Sequence, residues 1–345
     1  YNKGFTKEKI EPDDYPWPGH AFNRTCTRDK MIEEYENLKT IYNRSDVKQN
    51  EVYWHPAASK TYHTTDEELA KADRVKVRFV MQATYTRHVL PAFLPPGELI
   101  TIEIPEGVTL NLILNRQCIP MNAGATSDQR LYSVRFDIKL NKSVSTIASP
   151  FGGTLLFECS NRLYPIEINV TGVILQPYFF YGMTSDEEWE NELSKLPGPY
   201  TYIDTGNVVH IVPSAFVRSE TRMNDAMHWW RSALQISQTT ARDNARYGNE
   251  RFGRVTNPCI MLYDNYIAYG AAYAMVGANY CVLPCGWIHN VVRYNNAVNN
   301  PWGNIHEMDH HHQENWAKTH NAGEMSNNAV NLVVFAKTSM CSSYR

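Results

Sequence analysis

The sequence predicts an α+β protein, with an N-terminal β-sandwich subdomain followed by a mainly helical domain. Three observations carry this. Residues 74–184 hold short β-branched and apolar runs separated by Pro and Gly breaks. After Thr184 the chemistry of helix starts takes over. At 345 residues the chain is also long enough for two domains.

Residues 1–73 are polar and mixed and read as an extension with short helices. A Pro/Trp-rich loop spans Asp13 to Pro18, and a charged helix is expected from Thr27 to Thr40. A second helix is expected from Thr65 to Ala72, because Thr65 followed by Glu68 is a capping-box pattern. The predicted strands are Val75–Met81, Leu99–Ile104, Thr109–Leu114, Tyr132–Leu140, Gly153–Glu158 and Ile166–Leu175. Pro95-Pro96-Gly97 and Phe151-Gly152-Gly153 break the series. Several short strands at this spacing mean a β-sandwich over residues 74–184.

Residues 185–345 form the second predicted domain. Ser185 before Asp186, Glu187 and Glu188 reads as an N-cap with an acidic first turn that suits the helix dipole. A strand is expected at Asn207–Val212, then a helix at about Arg222–Leu234. Its apolar stripe of Met223, Ala226, Trp230 and Leu234 reads as core.

Composition narrows the function. Thirty-three basic and 36 acidic side chains give a net charge of −3. No long run of one sign occurs, so neither nucleic acid nor an anionic membrane is indicated as a partner. The uncharged stretch Asn265–Val292 is broken by Gly270, Gly277, Pro284 and Gly286, so it reads as buried polypeptide near a site and not as a transmembrane segment. The chain opens at Tyr1 without an initiator Met or a signal-like segment and reads as a mature or truncated product.

Sequons at Asn23, Asn43, Asn141 and Asn169 are glycosylation candidates. With seven cysteines (Cys26, Cys118, Cys159, Cys259, Cys281, Cys285 and Cys341) they favour a secreted or cell-surface protein with disulfide bonding. Cys281 and Cys285, spaced C-x-x-x-C, are either a disulfide in a tight loop or half a zinc site. No second Cys pair stands nearby, so a zinc ribbon is not expected.

The segment His306-Glu307-Met308-Asp309-His310-His311-His312-Gln313 carries the chemistry. H-E-x-x-H on a helix puts His306 and His310 on one face with Glu307 one step round, an arrangement that holds zinc and places a general base beside it. A catalytic zinc ion takes three protein ligands and keeps a fourth position open. The third-ligand candidates are Glu314, His320 and Glu324. In the bland alternative, His310, His311, His312 and His320 form an exposed face that binds metal adventitiously.

Residues Gly303 to Gln313, then Trp316, then Gly323-Glu324 leading into Asn327, Asn328 and Asn331, closely resemble the enhancin-like zinc peptidases. Those are gluzincins acting on mucin-type glycoproteins, with the signature H-E-x-G-H-x-H-Q followed by Glu and Asn. Leu94-Pro95-Pro96-Gly97-Glu98, Ser149 to Gly153, Gly182 with Glu187-Glu188-Trp189, Val208–Ser214 and Ala272 to Met275 resemble other recurring family segments. The resemblance implies a β-sandwich joined to a gluzincin catalytic domain, Zn2+ as cofactor and Glu324 as third ligand. It also implies a glycoprotein or O-glycosylated peptide as substrate.

Where the family has Gly, this chain has Asp309, which shares a helix face with the ligands. It is expected either to orient a ligating imidazole or to fill substrate space. Gln313, Asn327 and Asn328 are further positioning candidates, and Tyr273 and His320 are transition-state donor candidates. Only 21 residues follow Glu324, so the catalytic domain is expected to be incomplete at its C-terminus. The leading reading is a zinc endopeptidase with Glu307 as base. The alternative is a catalytically weak surface protein that binds glycans on stacking Tyr and Trp side chains.

Overall fold

A computed structural model describes residues 5–9, 37–52, 54–55, 58, 65–81, 87–114, 135–159, 165–242, 258–264, 271–275, 280–312 and 323–339. They fall into two compact units. The first runs to Pro177 and takes back Leu196–Thr201 and Pro213–Ala215. The second comprises Tyr178–Lys195, Tyr202–Val212 and Phe216–Arg345.

The first unit is a nine-stranded sheet. Its strands are β1 (Thr6–Lys9), β2 (Val75–Met81), β3 (Arg87–Leu94), β4 (Leu99–Glu103), β5 (Leu110–Leu114), β6 (Phe136–Leu140), β7 (Val144–Ala148), β8 (Gly153–Glu158) and β9 (Ile166–Leu175). The path runs β1-β2-β9-β3-β8-β5-β6, with β4 joined to β9 and β7 to β4. Every pair is antiparallel.

The strands fall into two hydrogen-bonded groups joined by β9, whose first part pairs with β2 and β4 and whose end pairs with β3. Strict alternation in β2 and β6 turns Val77, Phe79, Phe136 and Ile138 into one core. The breaks also have physical causes. Pro91 lacks an N–H, and the β3–β8 register shifts between Leu90 and Phe93. Gly152, at φ +70°, sits where a Cβ would lie 2.6 Å from the Leu94 carbonyl oxygen.

Before the sheet, Thr65 caps helix α1 (Asp66–Lys71), with the Glu68 carboxylate accepting in return from the Thr65 N–H. Residues 37–42 are helical, while the rest of the Thr27–Thr40 helix lies outside the described residues. Arg74 donates to Glu98 in a buried ion pair, Nε to Oε2 at 2.7 Å, and also donates to the Leu69 and Ala72 carbonyls.

The second unit corrects the expectation of a mainly helical domain. It is built on a six-stranded sheet ordered β10 (Tyr178–Phe180), β11 (Tyr200–Asp204), β12 (Val208–Pro213), β13 (Cys259–Asp264), β15 (Tyr280–Pro284), β14 (Tyr273–Met275). The β10–β11, β12–β13 and β13–β15 pairs are parallel, and β14 runs antiparallel at the edge. Strands β11, β12 and β13 are buried along their whole length. Strand β12 is the one expected at Asn207–Val212, whereas β11 and β13, buried on both faces, carry no alternation by which to tell a strand from a buried helix.

The helices are α2 (Asp186–Asn191), capped by Ser185 as expected, α3 (Met223–Arg242), α4 (His289–Val292), α5 (Tyr294–Asn299), α6 (Trp302–Asp309) and α7 (Gly323–Ser339). The α3 stripe of Met223, Ala226, Trp230 and Leu234 is buried. Helix α7 packs against both α3 and α6. No described helix is long and apolar enough to cross a membrane.

Candidate functional site

Helix α6 carries the H-E-x-x-H motif. Gly303 allows the Trp287 ring to lie against the helix, since a Cβ there would come within 2.4 Å of the indole. Ile305 and Met308 are fully buried and anchor the inner face. His310 keeps helical dihedrals (φ −54°, ψ −28°), and its N–H reaches the His306 carbonyl. The four-residue spacing therefore works as on a continuous helix, and the two imidazole centroids lie 4.8 Å apart.

Glu324, in the first turn of α7, faces both rings. Its carboxylate oxygens lie 3.0 Å from His306 Nε2 and 3.6 Å from His310 Nε2. These three donor atoms all lie within 4.8 Å of one another. Two imidazoles and a carboxylate converging without a bulky side chain between them are a donor set that fits zinc.

Three asparagines fix α7 on α6. Asn328 Oδ1 lies 2.8 Å from His306 Nδ1, Asn327 Nδ2 donates to the His306 carbonyl at 2.6 Å, and Asn331 Nδ2 donates to the Trp302 carbonyl at 3.0 Å. Asn327 and Asn331 are fully buried. Because they are four apart on α7 and their acceptors are four apart on α6, the two contacts repeat along facing helices.

A cleft of about 600 Å³ opens over the site, with Tyr273, Trp287, Trp302 and Glu307 among its lining residues. Trp302 keeps 39% of its surface exposed. Burial pushes the Glu307 carboxyl up to about 7; the nearby Glu324 charge adds to the rise, and His311 opposes it. Tyr273 lies on the edge strand β14.

Asp309 corrects an expectation. Its side chain is buried away from the cleft and accepts from Ser237 Oγ of α3. Burial raises its pKa to about 8, the Ser237 hydrogen bond opposes this, and the nearby Cys259 adds to it. On a helical wheel Asp309 sits roughly 60° to one side of His306 while His310 sits about 40° to the other. Asp309 therefore meets α3, and it is Asn328 that contacts the His306 imidazole.

Gln313, Glu314 and His320 lie outside the described residues, as do Asn23, Cys26, Cys118 and Cys341. Asn43 and Asn141 are exposed, whereas Asn169 sits within β9 between β2 and β4. Cys281 and Cys285, which the spacing left as either a loop disulfide or half a zinc site, are both buried and are not joined to each other as a disulfide.

Sequence reasoning missed a buried chain behind the helix. Asn304 Nδ2 donates to the Tyr263 hydroxyl at 3.0 Å, and that hydroxyl lies 3.3 Å from His210 Nδ1. His210 packs edge-on against Trp230. A lone His inside the apolar run Val208–Val212 was the available signal.

Comparison with known proteins finds peptidases among those that this chain resembles. Residues 172–344 match the model of Peptidase M60, enhancin and enhancin-like, and residues 70–171 match the N-terminal domain of M60-like peptidases. The chain belongs to the Peptidase M60 family.

Antigenic protein P1 of Entamoeba histolytica is 26% identical over 290 residues, covering 76% of this chain and 25% of that protein. The chain spans about a quarter of the length of the curated relatives it matches. Among solved structures, IMPa from Pseudomonas aeruginosa in complex with an O-glycopeptide aligns with a TM-score of 0.54 at 19% identity, over 75% of this chain and 32% of that one. The catalytic module of the metalloprotease ZmpA from Clostridium perfringens aligns with a TM-score of 0.57 at 15% identity, over 74% and 57%. At these identities the likeness is one of fold.

Proposed function

We propose that this chain is the catalytic part of a secreted or cell-surface zinc endopeptidase of the gluzincin type that cleaves glycoproteins, O-glycosylated ones among them. The observation that carries the reading is the convergence of His306 Nε2, His310 Nε2 and the Glu324 carboxylate at the floor of an open cleft. In this reading the three are the metal ligands and Glu307 is the base. A zinc ion held there supplies Lewis-acid activation of water and of the scissile carbonyl near neutral pH.

The chain's own residues do the rest. Asn328 holds the Nδ1 side of His306 and leaves Nε2, which faces the Glu324 carboxylate, available to ligate the metal. Glu307, with its pKa raised to about 7, takes a proton from the attacking water and passes it to the leaving amine. Edge strand β14, whose Tyr273 and Ala274 line the cleft, is where an extended peptide would add as a further strand. The half-exposed Trp302 offers an apolar ring face for a sugar or an apolar side chain.

A binding-only surface protein would use the same aromatic lining, and a cleavage assay separates the two readings. The chain is incubated with an O-glycosylated mucin-type glycoprotein, with and without a metal chelator. Chelator-sensitive fragmentation supports the peptidase. An intact substrate that co-purifies with the chain supports binding alone.

A further inference from the structure

Beside the first donor set lies a second one that shares none of its residues. Cys259 opens β13, Cys281 lies on β15, and His311 follows His310 directly. The two sulfurs are 4.0 Å apart, and Cys281 Sγ is 3.2 Å from His311 Nε2. The three donor atoms all lie within 4.8 Å of one another. Both cysteines are buried and His311 is largely so.

We propose that Cys259, Cys281 and His311 form a second metal site, separate from the catalytic one, that binds a thiophilic d10 cation, Zn2+ or Cu+. The dimensions fit. With metal–sulfur bonds of about 2.3 Å and metal–nitrogen bonds of about 2.0 Å, the edges of a tetrahedral site are roughly 3.5–3.8 Å. The separations of 4.0 and 3.2 Å bracket that range, so small shifts bring all three donors to bonding distance. A disulfide needs its sulfurs about 2.05 Å apart, and these stand at 4.0 Å. Two thiolates and an imidazole favour soft or borderline ions over magnesium or calcium.

Placement gives the site a purpose. Because β13 and β15 are adjacent parallel strands, a metal there ties the sheet to the backbone that carries His310. It would act as a structural clamp on the ligand-bearing end of α6.

The test uses the full chain, made metal-free under reducing conditions and titrated with Co2+ as a spectroscopic stand-in. A thiolate-to-cobalt charge-transfer band is expected in the parent and in a His306→Ala/His310→Ala double variant, and is expected to vanish in Cys259→Ser/Cys281→Ser. Zinc-loaded parent should hold two equivalents of metal, and the double His variant one. A parallel Cu+ titration against a chromophoric chelator tells which ion is held more tightly. The site is disproved by a parent without the band, or by peptide mapping that finds Cys259 and Cys281 joined as a disulfide. The parent and the His variant decide the matter even if the Cys variant does not fold, and neither readout depends on peptidase activity.

Discussion

Asn328 Oδ1 lies 2.8 Å from His306 Nδ1, so an amide on one helix fixes the tautomer of an imidazole on another. An amide oxygen only accepts, so Nδ1 carries the proton and Nε2 is left to donate its lone pair to a metal. Replacing Asn328 with Ala is expected to weaken zinc affinity about 10- to 100-fold. Competition with a chromophoric chelator measures it, and unchanged affinity would remove Asn328 from the site.

Asn331 joins α7 to the Trp302 carbonyl from a fully buried position. Asn331→Ala is expected to lower stability by about 1–3 kcal/mol through loss of a buried hydrogen bond. Denaturant unfolding reads the change. A midpoint equal to that of the parent would mean that the Asn331 hydrogen bond contributes nothing to holding the two helices together.

In the first unit, Arg74 and Glu98 form a buried ion pair. Glu98→Ala leaves the guanidinium unpaired in the core and is expected to cost about 3–5 kcal/mol. A loss below about 1 kcal/mol, the scale of an exposed pair, would contradict the burial.

His210 gives the fold a pH dependence. Burial lowers its pKa from the ordinary 6.5 to about 3. The folded state therefore holds it neutral, while the unfolded chain takes up a proton below about pH 6.5. Its contribution is fully present above pH 6.5 and is lost as pH falls towards 3, at no more than roughly 1.4 kcal/mol per pH unit. Melting curves between pH 7 and pH 4 should fall less steeply for His210→Phe than for the parent; equal slopes would mean that His210 takes up a proton in the folded state.

How much of this was legible follows from how local each signal is. H-E-x-x-H spans five residues of one helix, so its geometry could be read directly. The caps at Thr65 and Ser185 were legible for the same reason. Glu324 and Asn328 needed the packing of α7 on α6; the residues offered Glu324 only beside Glu314 and His320, and the family resemblance singled it out. Of the parallel strands β12 was anticipated at Asn207–Val212, while β10, β11, β13 and β15 escaped because burial on both faces erases the period-two pattern. Asp309 was misplaced because a single helix cannot show that α3 supplies Ser237 on one flank. Cys259, Cys281 and His311 stayed hidden because strand register, and not spacing along the chain, brings them together.

In the proposed mechanism Glu307 serves as the base beside a metal it does not hold. The most direct test compares the parent with Glu307→Gln on an O-glycosylated glycoprotein, with the zinc content of both measured. The variant is expected to keep its zinc and cleave about 100- to 10,000-fold more slowly. A variant that retains zinc and cleaves at the parent's rate would contradict the mechanism.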